Sequence, residues 1–286
     1  MKKQRRSNRR PTRRKLIKKD LSAPSTLFPP PLPQPEANTI YKFATSKHAL
    51  AALPSDARSI LFIGGHIVNE LTTLTRLLVF TKLSENSDPI EDAYVSVQYV
   101  TLVRLLIGKV AEALETVHKR IIAQPLGRTY LPLVEQQGEE GTEVVANLRR
   151  MVGENGLLSR LRNQHAFHNP ADHLLEAAFG KLDEGLNWSM MAGSPRHTVL
   201  FPMSSIVAIQ ALNDSTGKSD PREAITAIRD EVLGASDAVI TFFEYLTITM
   251  SNKHNLFSGS REAVKDTSSL PPAQGIRIPP ICRASE

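Results

Sequence analysis

The residues best suited to chemistry lie together in one stretch, LRNQHAFHNP at positions 161–170. Arg162 carries a guanidinium, which suits a phosphate whose negative charge grows in a transition state. His168 carries an imidazole, which acts as a general base when it is neutral near pH 7. Together they suit one reaction, in which the histidine takes the proton of a 2′-OH and the oxygen attacks the adjacent phosphorus. Only RNA has that hydroxyl, so this chemistry implies an RNA substrate, a 2′,3′-cyclic phosphate product and no metal.

Two predicted helices would position this pair. A leucine-rich pattern predicts a short amphipathic helix that ends near Ala166. Asn169 is expected to cap the next helix, with Pro170 at its first position. The turn between the helices would bring Arg162 and His168 to one corner. Because the positive end of the second helix disfavours an imidazolium there, His168 would be neutral.

Two further residues would support the pair. Asn163 can hydrogen-bond a nearby backbone group or a phosphate. His165 lies one helical turn after Arg162, and three roles are open to it: a second proton-transfer group, a substrate contact or a surface residue. A structural explanation is also open for the pair itself. An arginine near a helix C-terminus interacts with the last carbonyls, and a histidine before an Asn-Pro cap can hydrogen-bond a carbonyl.

The chain around this stretch predicts an all-α fold. Apolar residues recur at three- and four-residue steps, which is the spacing of one buried helix face. Asp-Pro pairs at 88–89 and 220–221 are typical helix starts, since Asp caps and proline fits the first position. The predicted helices cover 39–53, a long segment from 55 or 56 past 78, 89–124, 140–152, 157–166, 170–186, 204–212 and 221–252, with a loop at 124–138 and a short strand or extended arm at 198–201.

The long helices also carry a glycine pair and a charged face. Gly64-Gly65 lowers the stability of the second predicted helix but allows a close contact with a neighbouring helix. On the third predicted helix, Glu115 and His118 belong to a charged face that we expect to be solvated.

Composition divides the chain into three segments. Residues 1–38 form a basic and then proline-rich tail, which cannot bury enough apolar surface to fold. Residues 39–252 form the helical domain. Residues 253–286 are rich in Ser, Pro, Gly and charges, so we expect a disordered C-terminal tail.

The first 20 residues hold most of the positive charge. They carry about +10, while the whole chain has a net charge of +6, so the remainder is near −4. Such an arm attracts phosphates and suits nucleic acid, although it would equally serve as a solubilising tail. The candidate nucleic-acid-binding residues are Lys2, Lys3, Arg5, Arg6, Arg9, Arg10, Arg13, Arg14, Lys15, Lys18 and Lys19.

Other chemistries lack their residues. The single cysteine, Cys282, excludes an internal disulfide, and no Cys/His set has zinc spacing. His66 and Glu70 lie four residues apart on one helix face without a second ligand pair, so we predict no metal and no cofactor. No serine-hydrolase elbow or dinucleotide fingerprint is present. No apolar run reaches the roughly 18 residues of a membrane span, and the basic N-terminus lacks the apolar segment of a secretory signal, so we predict a cytoplasmic protein.

The stretch RNQHAFH at 162–168 resembles the signature of the HEPN superfamily (higher eukaryotes and prokaryotes nucleotide-binding). That signature is an arginine, a polar residue, a few variable positions and a histidine. The Ala-Phe-His ending further resembles HEPN proteins of bacterial abortive infection. The long second, third and last predicted helices fit the up-and-down bundle of long antiparallel helices that this resemblance implies. His165 departs from the pattern, in which an aliphatic or basic residue is usual.

The resemblance implies an activity and partners. Active HEPN domains are metal-independent endoribonucleases of toxin–antitoxin, abortive-infection and CRISPR-associated systems, while other members are scaffolds or bind nucleotides. They commonly form homodimers in which two motifs face each other, so Arg162 and His168 would act with their counterparts from a second subunit. An antitoxin or another partner protein is a further expectation.

Three functional hypotheses remain at this point. The first is an RNA-cleaving enzyme with a toxin or phage-defence role. The second is a non-catalytic nucleic-acid-binding adaptor that depends on the basic arm. The third is a helical module that binds another protein.

Overall fold

Helices account for most of the described chain. A computed structural model of the protein describes residues 39–81, 88–153, 156–166, 170–186, 190, 200–257, 262–266 and 276. The predicted all-α fold is confirmed. In chain order the elements are β1 (Thr39–Lys42), α1 (Lys47–Ala51), α2 (Ser55–Phe80), α3 (Pro89–Val117), a π-helical turn (His118–Ile122), α4 (Pro125–Glu135), α5 (Glu139–Gly153), α6 (Leu157–His165), α7 (Asp172–Phe179), α8 (Pro202–Asp214), α9 (Pro221–His254) and β2 (Glu262–Asp266).

The long helix α9 runs through the centre of the bundle. It packs against α2, α3, α4, α5, α6 and α8. Its residues at three- and four-residue steps form one buried face, as in Val239, Phe242 and Leu246. The same core includes Leu158 and Leu161 of α6. The helix that carries Arg162 is therefore fixed to the frame by apolar burial.

The two Asp-Pro pairs start α3 and α9 as predicted. Asp88 Oδ1 accepts hydrogen bonds from the backbone N–H groups of Ile90 and Glu91 at 2.8 and 2.9 Å. Asp220 Oδ1 accepts one from the N–H of Arg222 at 2.8 Å. Each pair thus satisfies N–H groups that the first helical turn leaves without a partner.

One glycine of the pair in α2 lies in close contact with α9. A Cβ on Gly64 would lie 2.3 Å from Cδ1 of Phe243, whereas a Cβ on Gly65 would meet no neighbouring element within 4 Å. The predicted close helix contact is therefore confirmed at Gly64.

Alanine at these two adjacent positions should have opposite effects on stability. Gly64→Ala should lower the free energy of unfolding by about 1–3 kcal/mol, because overpacking forces the buried Phe243 ring to shift. Gly65→Ala should raise it by up to about 1 kcal/mol, since alanine is the better helix former. Urea denaturation of both variants measures the difference. Equal effects at the two positions would contradict the packing.

The N-terminal end of the domain differs from the prediction. The sequence predicts one helix over 39–53, but residues 39–42 form β1 and the helix α1 covers only Lys47–Ala51. β1 pairs antiparallel with β2, which belongs to the segment 253–286 that the sequence predicts to be disordered. This pairing joins the two ends of the domain, so a local sequence pattern contains no signal for it.

The predicted loop at 124–138 is also wrong, because α4 occupies most of it. Pro125 ends the helical pattern of α3 in the sequence, but the same residue stands at the first position of α4. Proline fits there because that N–H has no intrahelical partner. The buried face of α4 comprises Leu126, Tyr130, Leu131 and Val134.

The helix after the motif starts later and ends earlier than predicted. Pro170 is not its first residue: α7 begins at Asp172, and Ala171 stands at the N-cap without a side-chain hydrogen bond. Asn169, the predicted cap, lies outside the described residues. α7 ends at Phe179, where the apolar pattern continues to Leu186. Half of the predicted strand or arm at 198–201, residues 198 and 199, lies outside the described residues, and Phe201 is the N-cap of α8.

By length and composition, α9 is apolar enough to cross a membrane: its segment from Arg222 to His254 has a mean hydropathy of 1.3 in the most apolar window. The core helix of a soluble protein passes the same test, and α9 holds the centre of this core. Its buried face packs on other helices of the chain. The fold is therefore compatible with a soluble protein, and a cytoplasmic location stays a prediction.

Candidate functional site

Arg162 lies in the last turn of α6, as the sequence predicts. Its side chain is 45% exposed, and its Nη2 donates to Glu115 Oε2 of α3 at 2.7 Å. Glu115 also accepts a hydrogen bond from Lys119. The guanidinium is thus held against α3 rather than against the last carbonyls of its own helix.

The electrostatics at Glu115 favour its charged form. The Lys119 ammonium first, and the Arg162 guanidinium second, lower the pKa of the Glu115 carboxyl. An ionised Glu115 competes with any phosphate for Arg162. Because exposed ion pairs contribute only about 0–1 kcal/mol, a phosphate can displace this carboxylate at little cost.

His165 lies in the interior of the bundle, with only 1% of the residue exposed. Its Nε2 is 2.6 Å from Ser215 Oγ, and the Ser215 hydroxyl is also 2.9 Å from Gln164 Oε1. The backbone carbonyl of His165 accepts a hydrogen bond from Arg104 Nε at 2.7 Å. These contacts tie the end of α6 to α3 and to the turn after α8.

Burial decides the charge of His165. Desolvation first, and the nearby Arg104 guanidinium second, lower the pKa of His165 from 6.5 to about 4. The imidazole is therefore neutral near pH 7. Of the three roles open to His165 in the sequence, a surface residue is wrong, because the side chain is buried; proton transfer and substrate contact stay predictions.

One of the remaining predicted site residues lies on the surface, and the others lie outside the described residues. Asn163 is exposed on α6. His168 lies outside the described residues, and so do all eleven basic residues of the N-terminal arm. The convergence of Arg162 and His168 at one corner therefore stays a prediction.

Arg162 lines a surface pocket of about 250 Å³ between α3, α5, α6 and α9. The walls mix apolar and polar side chains. Among the described residues, the apolar walls include Leu114, Met151, Val152, Leu158 and Ala235, and the polar lining includes Glu115, His118, Ser159, Arg162 and Glu231.

His118 lies at this pocket, although no sequence pattern indicates it as a site residue. His118 is exposed, as the charged pattern on α3 predicts, and it also lines the pocket together with Arg162. His118 also begins the π-helical turn that continues α3. Such turns occur frequently at functional sites, but the sequence pattern does not predict them.

His66 and Glu70 of α2, the pair that the sequence offers as possible metal ligands, lie beside a lysine. His66 Nε2 lies 3.6 Å from Glu70 Oε1, and the same oxygen lies 3.1 Å from Lys109 Nζ. Glu70 thus neutralises a lysine. No group of three or more His, Cys, Asp or Glu residues suited to a metal occurs within the described ranges.

No family model matches the sequence, and no curated protein or solved structure matches the chain. The HEPN resemblance therefore depends on the motif at 162–168 and on the all-α architecture.

Proposed function

We propose that the protein is a metal-independent endoribonuclease of the HEPN type, with a bacterial toxin or phage-defence role. The observation that carries the proposal is the position of Arg162. The arginine of the motif is half-exposed at the end of α6 and lines an open pocket with His118. A guanidinium so placed can reach a phosphate of a bound RNA strand.

In the proposed reaction, His168 takes the proton of the 2′-OH and the oxygen attacks phosphorus. Arg162 stabilises the charge of the phosphorane as the bond to the 5′-oxygen breaks. The departing 5′-oxygen takes up a proton, and we assign this general-acid role to His118, which lines the pocket. The products are a 2′,3′-cyclic phosphate and a 5′-hydroxyl.

The resemblance to HEPN domains adds a second subunit to this proposal. Two copies of the chain would place their motifs face to face, and the one composite cleft between them would contain Arg162 and His168 from both. A homodimer is therefore part of the proposal, as is an antitoxin or another partner protein that restrains the activity.

Incubation of single-stranded RNA with the full chain in EDTA tests the proposed function. We expect products that end in a 2′,3′-cyclic phosphate, and a loss of about 10²- to 10⁴-fold in rate for His168→Ala, the range for removal of a general base. End-group analysis by mass spectrometry identifies the products. If the wild-type chain leaves a broad panel of RNAs uncut, the ribonuclease is rejected.

The second candidate is a non-catalytic module that binds nucleic acid or another protein. The Arg162–Glu115 ion pair favours it, because that contact gives the arginine a structural partner. Salt-sensitive RNA binding without cleavage would support this candidate if it survives Arg162→Ala and disappears with residues 1–20. A stable complex with a protein and no affinity for RNA would instead support a protein-binding module.

A further inference from the structure

The pocket beside α6 is lined by both a carboxylate, Glu231, and a guanidinium, Arg162. Glu231 of α9 places Oε1 3.9 Å from the Cβ position of Gly156, the residue just before α6. Arg162 lies six residues further along, which is roughly 9 Å at the rise of an α-helix. Leu114, Met151 and Leu158 contribute apolar walls to the same pocket.

A nucleotide matches this arrangement. Its flat base fits between apolar side chains, and its phosphate lies beyond the sugar, away from the outer edge of the base. Unpaired RNA bases are commonly recognised through such packing together with hydrogen bonds to the Watson–Crick edge. The order of the lining groups therefore puts the base edge at Glu231 and the phosphate at Arg162.

The Glu231 carboxylate is free to accept hydrogen bonds from a ligand. In the part of the chain that the structure describes it has no ion-pair or hydrogen-bond partner, whereas Glu115 is occupied by Arg162 and Lys119. A carboxylate with two open oxygens accepts two parallel hydrogen bonds from adjacent N–H donors. Guanine presents such a pair at N1–H and N2–H₂, while each of the other RNA bases presents one donor on its Watson–Crick edge.

We propose that this pocket binds an unpaired guanine of RNA, with Glu231 on the Watson–Crick edge and Arg162 on the phosphate. This inference rests on the proposed function in taking RNA as the source of the base. The pocket volume of about 250 Å³ suits a single nucleotide. The site then selects guanine beside the cleaved bond, and Glu231 is a specificity-determining residue.

Binding of 5′-GMP, 5′-IMP and 5′-AMP to the full chain, measured by calorimetry in EDTA, tests the proposal directly. IMP lacks only the N2 amino group, so it offers Glu231 one donor instead of two. We expect GMP to bind roughly tenfold or more tightly than IMP and AMP, since hydrogen bonds to a charged group are strong. Glu231→Gln should abolish this preference, because an amide presents one acceptor oxygen.

The matched control is Asp230→Asn, which removes a carboxylate from the adjacent position on α9. Asp230 pairs with Arg229 and does not line the pocket, so the GMP preference should persist. Absence of GMP binding, equal affinity for the three nucleotides, or a preference that survives Glu231→Gln overturns the proposal.

RNA cleavage separates this inference from the proposed function. Cleavage that requires Arg162 and His168 but shows no preference for guanine keeps the ribonuclease and rejects the guanine site. Glu231-dependent GMP binding by a chain that cuts no RNA keeps the guanine site and rejects the ribonuclease.

Discussion

Replacing Arg162 by alanine should slow RNA cleavage by about 10²- to 10³-fold, the usual cost of removing one donor that stabilises developing charge. The loss should appear in the single-turnover rate at saturating enzyme, because in the proposed reaction the guanidinium acts on the phosphorane rather than on the ground state alone. Stability should change by at most about 1 kcal/mol, since the Arg162–Glu115 pair is exposed on both sides.

Two further variants separate catalysis by Arg162 from a structural role. Arg162→Lys keeps the charge without the planar fork, so its rate should fall between wild type and alanine. Glu115→Gln frees the guanidinium from its carboxylate, so RNA should bind at least as tightly as to the wild type. If Arg162→Ala cuts RNA at the wild-type rate but melts at a clearly lower temperature, the arginine is a structural residue.

His165 should make the stability of the fold depend on pH between about 4 and 6.5. Its folded-state pKa lies below the unfolded value, so the unfolded chain binds the proton first as pH falls. The stabilisation is complete above about pH 6.5 and is lost as pH falls toward 4, by about 3 kcal/mol in total. Burial against Ser215 is the physical reason, because the site excludes the charged imidazole.

Carboxylates titrate in the same pH range and also change the stability of the fold. Comparing urea unfolding of wild type and His165→Gln isolates the contribution of His165. The difference in unfolding free energy between the two proteins should shrink by about 2 kcal/mol from pH 7.5 to pH 5. His48→Gln is the control for removal of a histidine, because His48 is exposed and lies outside this buried site. A difference between wild type and His165→Gln that is constant over this range would show that His165 is accessible to protons in the folded state.

These two results would assign different roles to Arg162 and His165 within the motif. Arg162 faces a pocket and Glu115, whereas His165, three residues later, faces the interior and Ser215. Adjacent turns of one short helix therefore carry a candidate catalytic group and a structural one. The departure of His165 from the HEPN pattern has a physical explanation in this chain, since its imidazole fills a buried polar site between α6 and the turn after α8.

Much of the helical architecture could be predicted because its signals are local. The Asp-Pro pairs mark the starts of α3 and α9, and the apolar stripes follow the buried faces of the long helices. The predictions failed where one residue fits two local structures or where a partner is distant. Pro125 ends one helical pattern and starts the next, and β1 gains its structure only by pairing with β2.

The all-α fold and the place of Arg162 at the end of a short helix are both predictable from the sequence. Both depend on residues within a few positions of one another, where spacing and capping act directly. The groups that surround that arginine depend instead on how the helices pack. Glu115 and Ser215 are 47 and 50 positions from their partners Arg162 and His165, and His118 and Glu231 reach the same pocket from other helices. Helix packing brings these groups together, and no local sequence pattern predicts which helix faces will pack against each other.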